Sequence, residues 1–264
     1  MTYRTASSLL TPGKGFMSAY DYTLNPYSGC TFGCTYCYAA FFARSREKVD
    51  GWGQWVTVKE NALALLRKKR KGGTLRGKTI YLSSVTDPYQ PVERTLELTR
   101  DLLKELAEFH QPRLVVQTRS PLVTRDLDVL ARFERVQVNV TVTTDDDEVR
   151  RAFEPLCPNN RVRLKAVAEV VAANVPAVVT MTPLLPVRDP AAFAESLLAT
   201  GAERFVVQPF HAAKGKFVAG TREEAIRASE ALGWTDERYR EVVRVLAARL
   251  PDLREGKDGF APMP

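Results

Sequence analysis

Lys78-Thr79-Ile80-Tyr81-Leu82-Ser83-Ser84-Val85 carries a short apolar run, Ile80 to Leu82, followed by two serines. A run of this length with little polar alternation reads as a strand buried on both faces. Residues 92–109 follow, where Leu96, Leu102, Leu103 and Leu106 recur at helical spacing. Another strand is expected over 113–118. Strand, helix, strand in this order is the repeating unit of a parallel sheet with right-handed crossovers.

The alternation continues in both directions. Upstream, 21–28 reads as a first strand, 35–46 as a short helix and 58–71 as a longer one. Downstream, the pattern predicts a helix over 124–133, a strand over 136–143, a helix over 159–173 and a strand over 175–182. A helix over 190–200 and a last strand over 204–208 complete it. About six β/α units define the fold class as α/β, a partial (β/α)6 barrel of the TIM type. After His211 comes a Gly/Lys loop over 212–220, then two C-terminal helices over 222–232 and 236–250. Residues 251–264 read as a weakly structured tail. The expected division is an N-terminal extension (1–19), a core barrel (20–211) and C-terminal helices with a tail (212–264).

The chain has 264 residues, 45% of them hydrophobic, which is enough for a sizeable core. No stretch reaches the roughly 20 apolar residues that span a bilayer. Residues 1–10 lack the apolar segment of a signal peptide. A cytoplasmic location with no membrane partner is therefore expected. The net charge of +7 and pI near 9.3 favour polyanionic partners such as nucleic acid.

Three of the four cysteines stand together in Gly29-Cys30-Thr31-Phe32-Gly33-Cys34-Thr35-Tyr36-Cys37-Tyr38. Clustering argues for metal rather than a disulfide framework. Three thiolates on one loop can hold three corners of a cubane iron–sulfur cluster. The fourth iron then lacks a local ligand, and an open coordination position is what catalysis needs. Zinc is the alternative, but it usually takes four Cys or His ligands. Cys157, His110 and His211 are all distant in sequence.

The C-x3-C-x-aromatic-C loop and the β/α repeats together resemble the radical S-adenosylmethionine (SAM) superfamily. Asn25-Pro26-Tyr27-Ser28-Gly29-Cys30, Ser83-Ser84-Val85-Thr86-Asp87-Pro88-Tyr89-Gln90-Pro91-Val92-Glu93, Thr118-Arg119-Ser120-Pro121-Leu122 and Glu154-Pro155 resemble its spore photoproduct lyase-like subgroup, also called DNA-repair photolyase-like. The likeness runs from about Tyr20 to Pro209. It implies a [4Fe–4S] cluster on Cys30, Cys34 and Cys37 whose open iron chelates SAM. It also implies an external reductant of the flavodoxin or ferredoxin type, and a nucleic-acid substrate carrying a lesion or modified base. A peptide or small metabolite is the alternative substrate, and a non-catalytic cluster or zinc sensor is the alternative function.

The resemblance gives several residues expected roles. Tyr36 would lie near the adenine of SAM. Ser84, Thr86 and Asp87, at the end of the second strand, suit its ammonium; the alternative is a turn cap before Pro88. Arg119 suits the carboxylate. Asn139 and Thr141 alternate with valines on the fourth strand, so they share one face, and an inward polar face would line the pocket near the ribose. Spore photoproduct lyase carries a hydrogen-donor cysteine at the end of strand two, where this chain has Val85. Cys157 is either a buried small residue or a substitute radical-quenching thiol.

The remaining charged features have simpler readings. Asp145 to Glu148 fit the first turn of a helix, where anions are favoured. Arg67 to Lys71 fit a solvated helix end, with a phosphate-contact patch as the alternative. His110 reads as a helix-terminal cation or solvent group, and His211 follows the last strand at the pocket end, with a substrate contact as the alternative to an uninvolved side chain.

Overall fold

A computed structural model describes residues 1–43, 45–73, 75–211 and 221–262. The strands that carry continuous apolar runs lie in one sheet. In chain order they are β1 (Leu10–Pro12), β2 (Tyr22–Leu24), β3 (Thr79–Leu82), β4 (Arg113–Thr118), β5 (Val136–Thr141), β6 (Ala177–Met181), β7 (Arg204–Val207) and β8 (Asp252–Glu255). They stand side by side in that order. All neighbours are parallel except β1, which runs antiparallel to β2. The six parallel strands β2 to β7 match the six β/α units expected from the sequence.

The crossover helices are α1 (Ala62–Lys68), α2 (Leu98–Phe109), α3 (Asp147–Phe153), α4 (Asn160–Ala172) and α5 (Pro190–Leu198), followed by α6 (Glu223–Ala231) and α7 (Asp236–Ala247). Period two divides each strand between two environments. Ile80, Leu82, Val116, Val138, Val140, Val179, Phe205 and Val207 face the helices, in the main core with Leu102, Leu103 and Leu106 of α2. Tyr81, Val115, Val178 and Val206 face inward, packed with Tyr20 and Phe260. Register places Gln117, Asn139, Thr141 and Thr180 on that same inner face. The inward placement of Asn139 and Thr141 agrees with the sequence reading.

Several element boundaries differ from expectation. The first strand divides at Asn25-Pro26. Its first part is β2, and Tyr27–Ser28 joins a separate three-stranded sheet with Thr57–Lys59 and Thr2–Arg4. Thr57–Lys59 is therefore strand, not the start of a helix. The helix over 35–46 is replaced by a 3-10 segment at Tyr38–Phe42 and a short helix at Arg46–Asp50. The helix over 92–109 breaks at Glu97, which adopts φ +49°. The carboxylate of Glu93 accepts from the Thr99 amide at 3.0 Å and caps α2. The helix over 124–133 is a 3-10 turn at Pro121–Asp126 and a single turn at Leu127–Leu130.

The described part of the tail, 251–262, is structured, contrary to expectation. It contributes β8 and a 3-10 turn at Gly256–Phe260, and Phe260 is buried in the barrel interior. The N-terminal residues likewise supply β1. The Gly/Lys loop at 212–220 lies outside the described residues.

Candidate functional site

The cysteine loop leaves the sheet at the C-terminal end of β2, after the detour through Tyr27–Ser28. Catalytic groups of parallel barrels collect at this end. Gly29 has φ +80°, and a Cβ there would meet Trp55 Cε3 at 2.5 Å and the Trp55 carbonyl oxygen at 2.7 Å. Gly33 has φ +60°, and its Cβ would meet Gly53 Cα at 3.0 Å. Left-handed backbone and close contact at once leave no room for another residue.

Neighbouring elements pin the loop on several sides. Thr86 Oγ1 donates to the Gly29 carbonyl at 2.6 Å, and the Thr31 amide donates to Gln90 Oε1 at 3.0 Å. The Thr35 amide donates to the Phe153 carbonyl at 2.8 Å. Arg222, just before α6, donates from Nε to the Thr35 carbonyl at 3.2 Å and from Nη2 to that of Gly33 at 3.4 Å.

Cys30 and Cys34 are buried and Cys37 is half-buried, in an apolar cluster with Phe32, Ala39, Ala40, Trp52 and Cys157. Burial, then the charge of Asp87 and of the other two cysteines, pushes the Cys30 thiol well up. Burial and Cys34 push Cys37 up to about 11. Cys34 moves the other way. A hydrogen bond with Cys157 lowers it most, and Arg119 adds to this against the effect of burial. Its Sγ lies 3.6 Å from Cys157 Sγ and 3.2 Å from Arg119 Nη1.

Arg119 is the hinge of a buried charge network. Its Nη2 donates to the Tyr36 hydroxyl at 3.3 Å, and its Nε lies 3.9 Å from Glu154 Oε1. That Nε has no hydrogen-bond acceptor although it is buried. Glu154 is fully buried; it accepts from the Tyr36 hydroxyl and, at 3.2 Å, from Thr143 Oγ1, and it pairs with the fully buried Arg163. Burial acts most strongly on Glu154 and would raise its pKa. Arg163, Arg119 and the Tyr36 hydrogen bond overcome it and hold the carboxyl below its usual range. Arg163 Nε and Arg150 Nη1 fasten the following turn, at the Pro158 carbonyl (2.8 Å) and the Cys157 carbonyl (3.0 Å).

The residues singled out from sequence fall into two groups. Tyr36, Arg119 and Cys157 gather at the cysteine loop. Asp87 is buried and fully engaged, accepting from Thr118 Oγ1 (2.7 Å) and from the amides of Arg119 and Tyr89 (2.9 Å each). It ties the ends of β3 and β4 together. Ser84 is half-buried; its Oγ accepts from Asn25 Nδ2 at 3.4 Å and its carbonyl accepts from the Tyr38 hydroxyl. Asn139 and Thr141 sit in the barrel interior, bonded to Gln137 (2.6 Å) and to Gln117 (2.8 Å) respectively. Val85 packs against the cysteine cluster.

Asp146 caps α3 by accepting from the Glu148 amide at 2.8 Å. Arg70 is bidentate on Glu105 and Arg67 lies 3.6 Å from it, so two cations of the basic run are engaged. His110 is not the helix-end cation expected: it is buried 3.5 Å from Glu105, and desolvation lowers its pKa. His211 is exposed. Sequence reading missed Glu154 as a site residue, and also Arg163 and Arg222. A charged residue next to Pro155 was the available signal for the first; nothing in the sequence marks the other two.

The donor chemistry fits an iron–sulfur cluster: three thiols within eight residues, on one braced loop in an apolar pocket. Among the described residues no three His, Cys, Asp or Glu side chains yet converge at metal-ligating distance, and Cys34 turns toward Arg119 instead. The Arg119 guanidinium beside the loop, whose Nε makes no hydrogen bond, suits a bound carboxylate.

A family model of the radical SAM superfamily matches residues 24–198, and the chain belongs to that superfamily. Its members use a [4Fe–4S] cluster and SAM. The chain is 34% identical over 165 residues to an uncharacterised protein of Methanocaldococcus jannaschii, covering 62% of this chain and 61% of that one. It is 31% identical over 175 residues to an uncharacterised protein of Mycobacterium tuberculosis, covering 63% and 50%. The aligned part is thus under two thirds of either relative. A spore photoproduct lyase variant superposes with a TM-score of 0.65 at 14% identity, covering 96% of this chain and 80% of that one. A second variant, with AdoMet and dinucleoside spore photoproduct bound, gives 0.63 at 13% with the same coverage. The fold is that of spore photoproduct lyase. No helix among the described residues is long and apolar enough to cross a membrane.

Proposed function

We propose that this chain is a radical SAM enzyme acting on nucleic acid, with Cys30, Cys34 and Cys37 holding the cluster. The observation that carries the reading is the three-cysteine loop braced at the C-terminal end of β2 with Arg119 against it. When bound, the cluster and SAM supply a 5′-deoxyadenosyl radical that takes hydrogen from a substrate. The chain's own residues bind, orient and shield.

Arg119 would receive the SAM carboxylate, while Glu154, 3.9 Å from its Nε, holds the guanidinium in place. Tyr36, held by Glu154 and Arg119, would flank the adenine. Ser84, with its hydroxyl half-buried at the end of β3, would meet the ammonium. Thr86 and Asp87 are engaged in bracing the loop and the strand ends, and we assign them to positioning. Asn139 and Thr141 would line the interior near the ribose. Cys157 faces Cys34 and, at 3.8 Å, the Phe32 carbonyl. This orientation supports a role in positioning Cys34 over one in donating hydrogen to a substrate. An external one-electron donor of the flavodoxin or ferredoxin class would reduce the cluster.

The nucleic-acid reading is supported by the net charge of +7 and by the likeness to a lyase solved with a dinucleoside lesion. The test is anaerobic reconstitution, then SAM and dithionite, with and without UV-irradiated DNA. Wild type should form 5′-deoxyadenosine, and Cys34→Ala should not. A full cluster and bound SAM with no 5′-deoxyadenosine, whatever DNA or RNA is added, would overturn the enzymatic reading.

A further inference from the structure

The small sheet beside the cysteine loop carries two cations with no carboxylate at ion-pairing distance among the described residues. Thr2–Arg4 and Thr57–Lys59 pair in parallel with Arg4 opposite Lys59, and Tyr27–Ser28 pairs antiparallel on the other side. Alternation puts Val58 and Tyr27 on one face, where both are buried with Val56. Thr2, Arg4, Ser28, Thr57 and Lys59 therefore share the opposite face. Every side chain on it is polar.

Lys59 is 9% exposed. Its ammonium has no hydrogen-bond acceptor and no carboxylate at ion-pairing distance among the described residues. Burial, with the nearby charge of Arg4, lowers its pKa to about 8. Among the described residues the Arg4 side chain donates to Ser28 Oγ alone, at 3.4 Å. Glu60, the next residue, is turned to Thr5 Oγ1 at 2.6 Å. Thr2 Oγ1 and Thr57 Oγ1 lie 2.8 Å apart on the cationic face. Like charges directly opposite on paired strands are destabilising, and the partial desolvation of Lys59 further disfavours its charged form. An oxyanion between them removes both penalties, and the adjacent hydroxyls add donors suited to phosphate oxygens.

We propose that Arg4 and Lys59, with the Ser28 and Thr57 hydroxyls, form a notch for one backbone phosphate of the nucleic-acid substrate. The notch rests on the nucleic-acid reading above and gives it a place. Ser28 leads directly into Gly29-Cys30, so a strand anchored here runs along the mouth of the cysteine loop. Phosphate contacts of this kind fix register without reading sequence.

The test uses the cluster-loaded protein under anaerobic conditions with two probes, fluorescein-labelled oligothymidylate and inorganic pyrophosphate. Binding of the oligonucleotide is followed by anisotropy against salt. Accessibility of Lys59 is followed by mass spectrometry after brief acylation. Both probes should protect Lys59, and Arg4→Gln should weaken that protection. Lys59→Met keeps the side-chain stem. It should weaken oligothymidylate about tenfold, the effect of one charge-assisted hydrogen bond, and lower the salt slope by about 0.7. Binding of either probe with unchanged acylation of Lys59 would overturn the notch. If pyrophosphate protects Lys59 and oligothymidylate does not bind, the notch stands and the nucleic-acid reading falls. If neither binds, the notch falls as well.

Discussion

Glu154→Gln is the substitution that most directly tests the charge network under the cysteine loop. Glu154 and Arg163 are both fully buried, so neither charge can turn to water when its partner is lost. Breaking a buried ion pair by neutralising one side destabilises by about 3–5 kcal/mol. Arg163 keeps the carbonyls of Pro158 (2.8 Å) and Thr141 (3.2 Å) as acceptors. That places the expected loss near the lower limit, about 3 kcal/mol. Urea unfolding of the apoprotein should show the midpoint falling at unchanged slope, and the melting temperature should drop by about 6–12 °C. The double variant Glu154→Leu with Arg163→Met should be more stable than Glu154→Leu alone, because it removes the stranded charge along with its partner. A loss for Glu154→Gln below about 1 kcal/mol, typical of an exposed pair, would refute the claim that this network organises the site.

Gly29→Ala forces a side chain into Trp55 at a left-handed φ. It should cost about 1–3 kcal/mol and reduce iron incorporation in proportion; wild-type iron content at wild-type stability would show that the loop tolerates another shape. Phe260→Ala should destabilise by about 3 kcal/mol, since the ring packs 5.5 Å from Phe16 and 6.4 Å from Tyr81. An unchanged urea midpoint would return residues 251–264 to the status of a loose tail.

What could be read from the sequence follows from burial. β3 to β7 are covered on both faces, so their apolar runs are continuous and their positions were apparent. β8 reads Asp-Leu-Arg-Glu at the sheet edge, with Leu253 its single apolar residue; nothing in such a segment announces a strand. β2 was overextended because Asn25-Pro26 looks like a mild interruption. Asn25 in fact leaves the sheet, its Oδ1 accepting from the Val85 amide at 3.1 Å and tying β2 to β3. The long helix over 92–109 had no glycine or proline to mark its break at Glu97, and the cap that permits the break comes from Glu93, four residues upstream. In the site, the cysteines were legible because three of one rare residue type at fixed spacing form a local signal. The Glu154–Arg163–Arg119 network was not, because its members come from three separate segments and meet only in the fold.

These distances in sequence converge on one physical result. The cysteine loop has little regular structure of its own, and a loop of that kind costs entropy to order when it receives a ligand. Here the cost is met during folding. Thr86 and Gln90 hold the loop from the end of β3, the Phe153 carbonyl and Glu154 from the end of α3, and Arg222 from the approach to α6. Gly33 and Gly53 close the remaining side by backbone contact. Arg222 is therefore part of the wall of the site, although sequence pattern alone assigns it to a separate C-terminal part. Because Arg222 reaches two carbonyls of the loop, the C-terminal helices and the cysteines are mechanically linked, and stabilising one stabilises the geometry of the other.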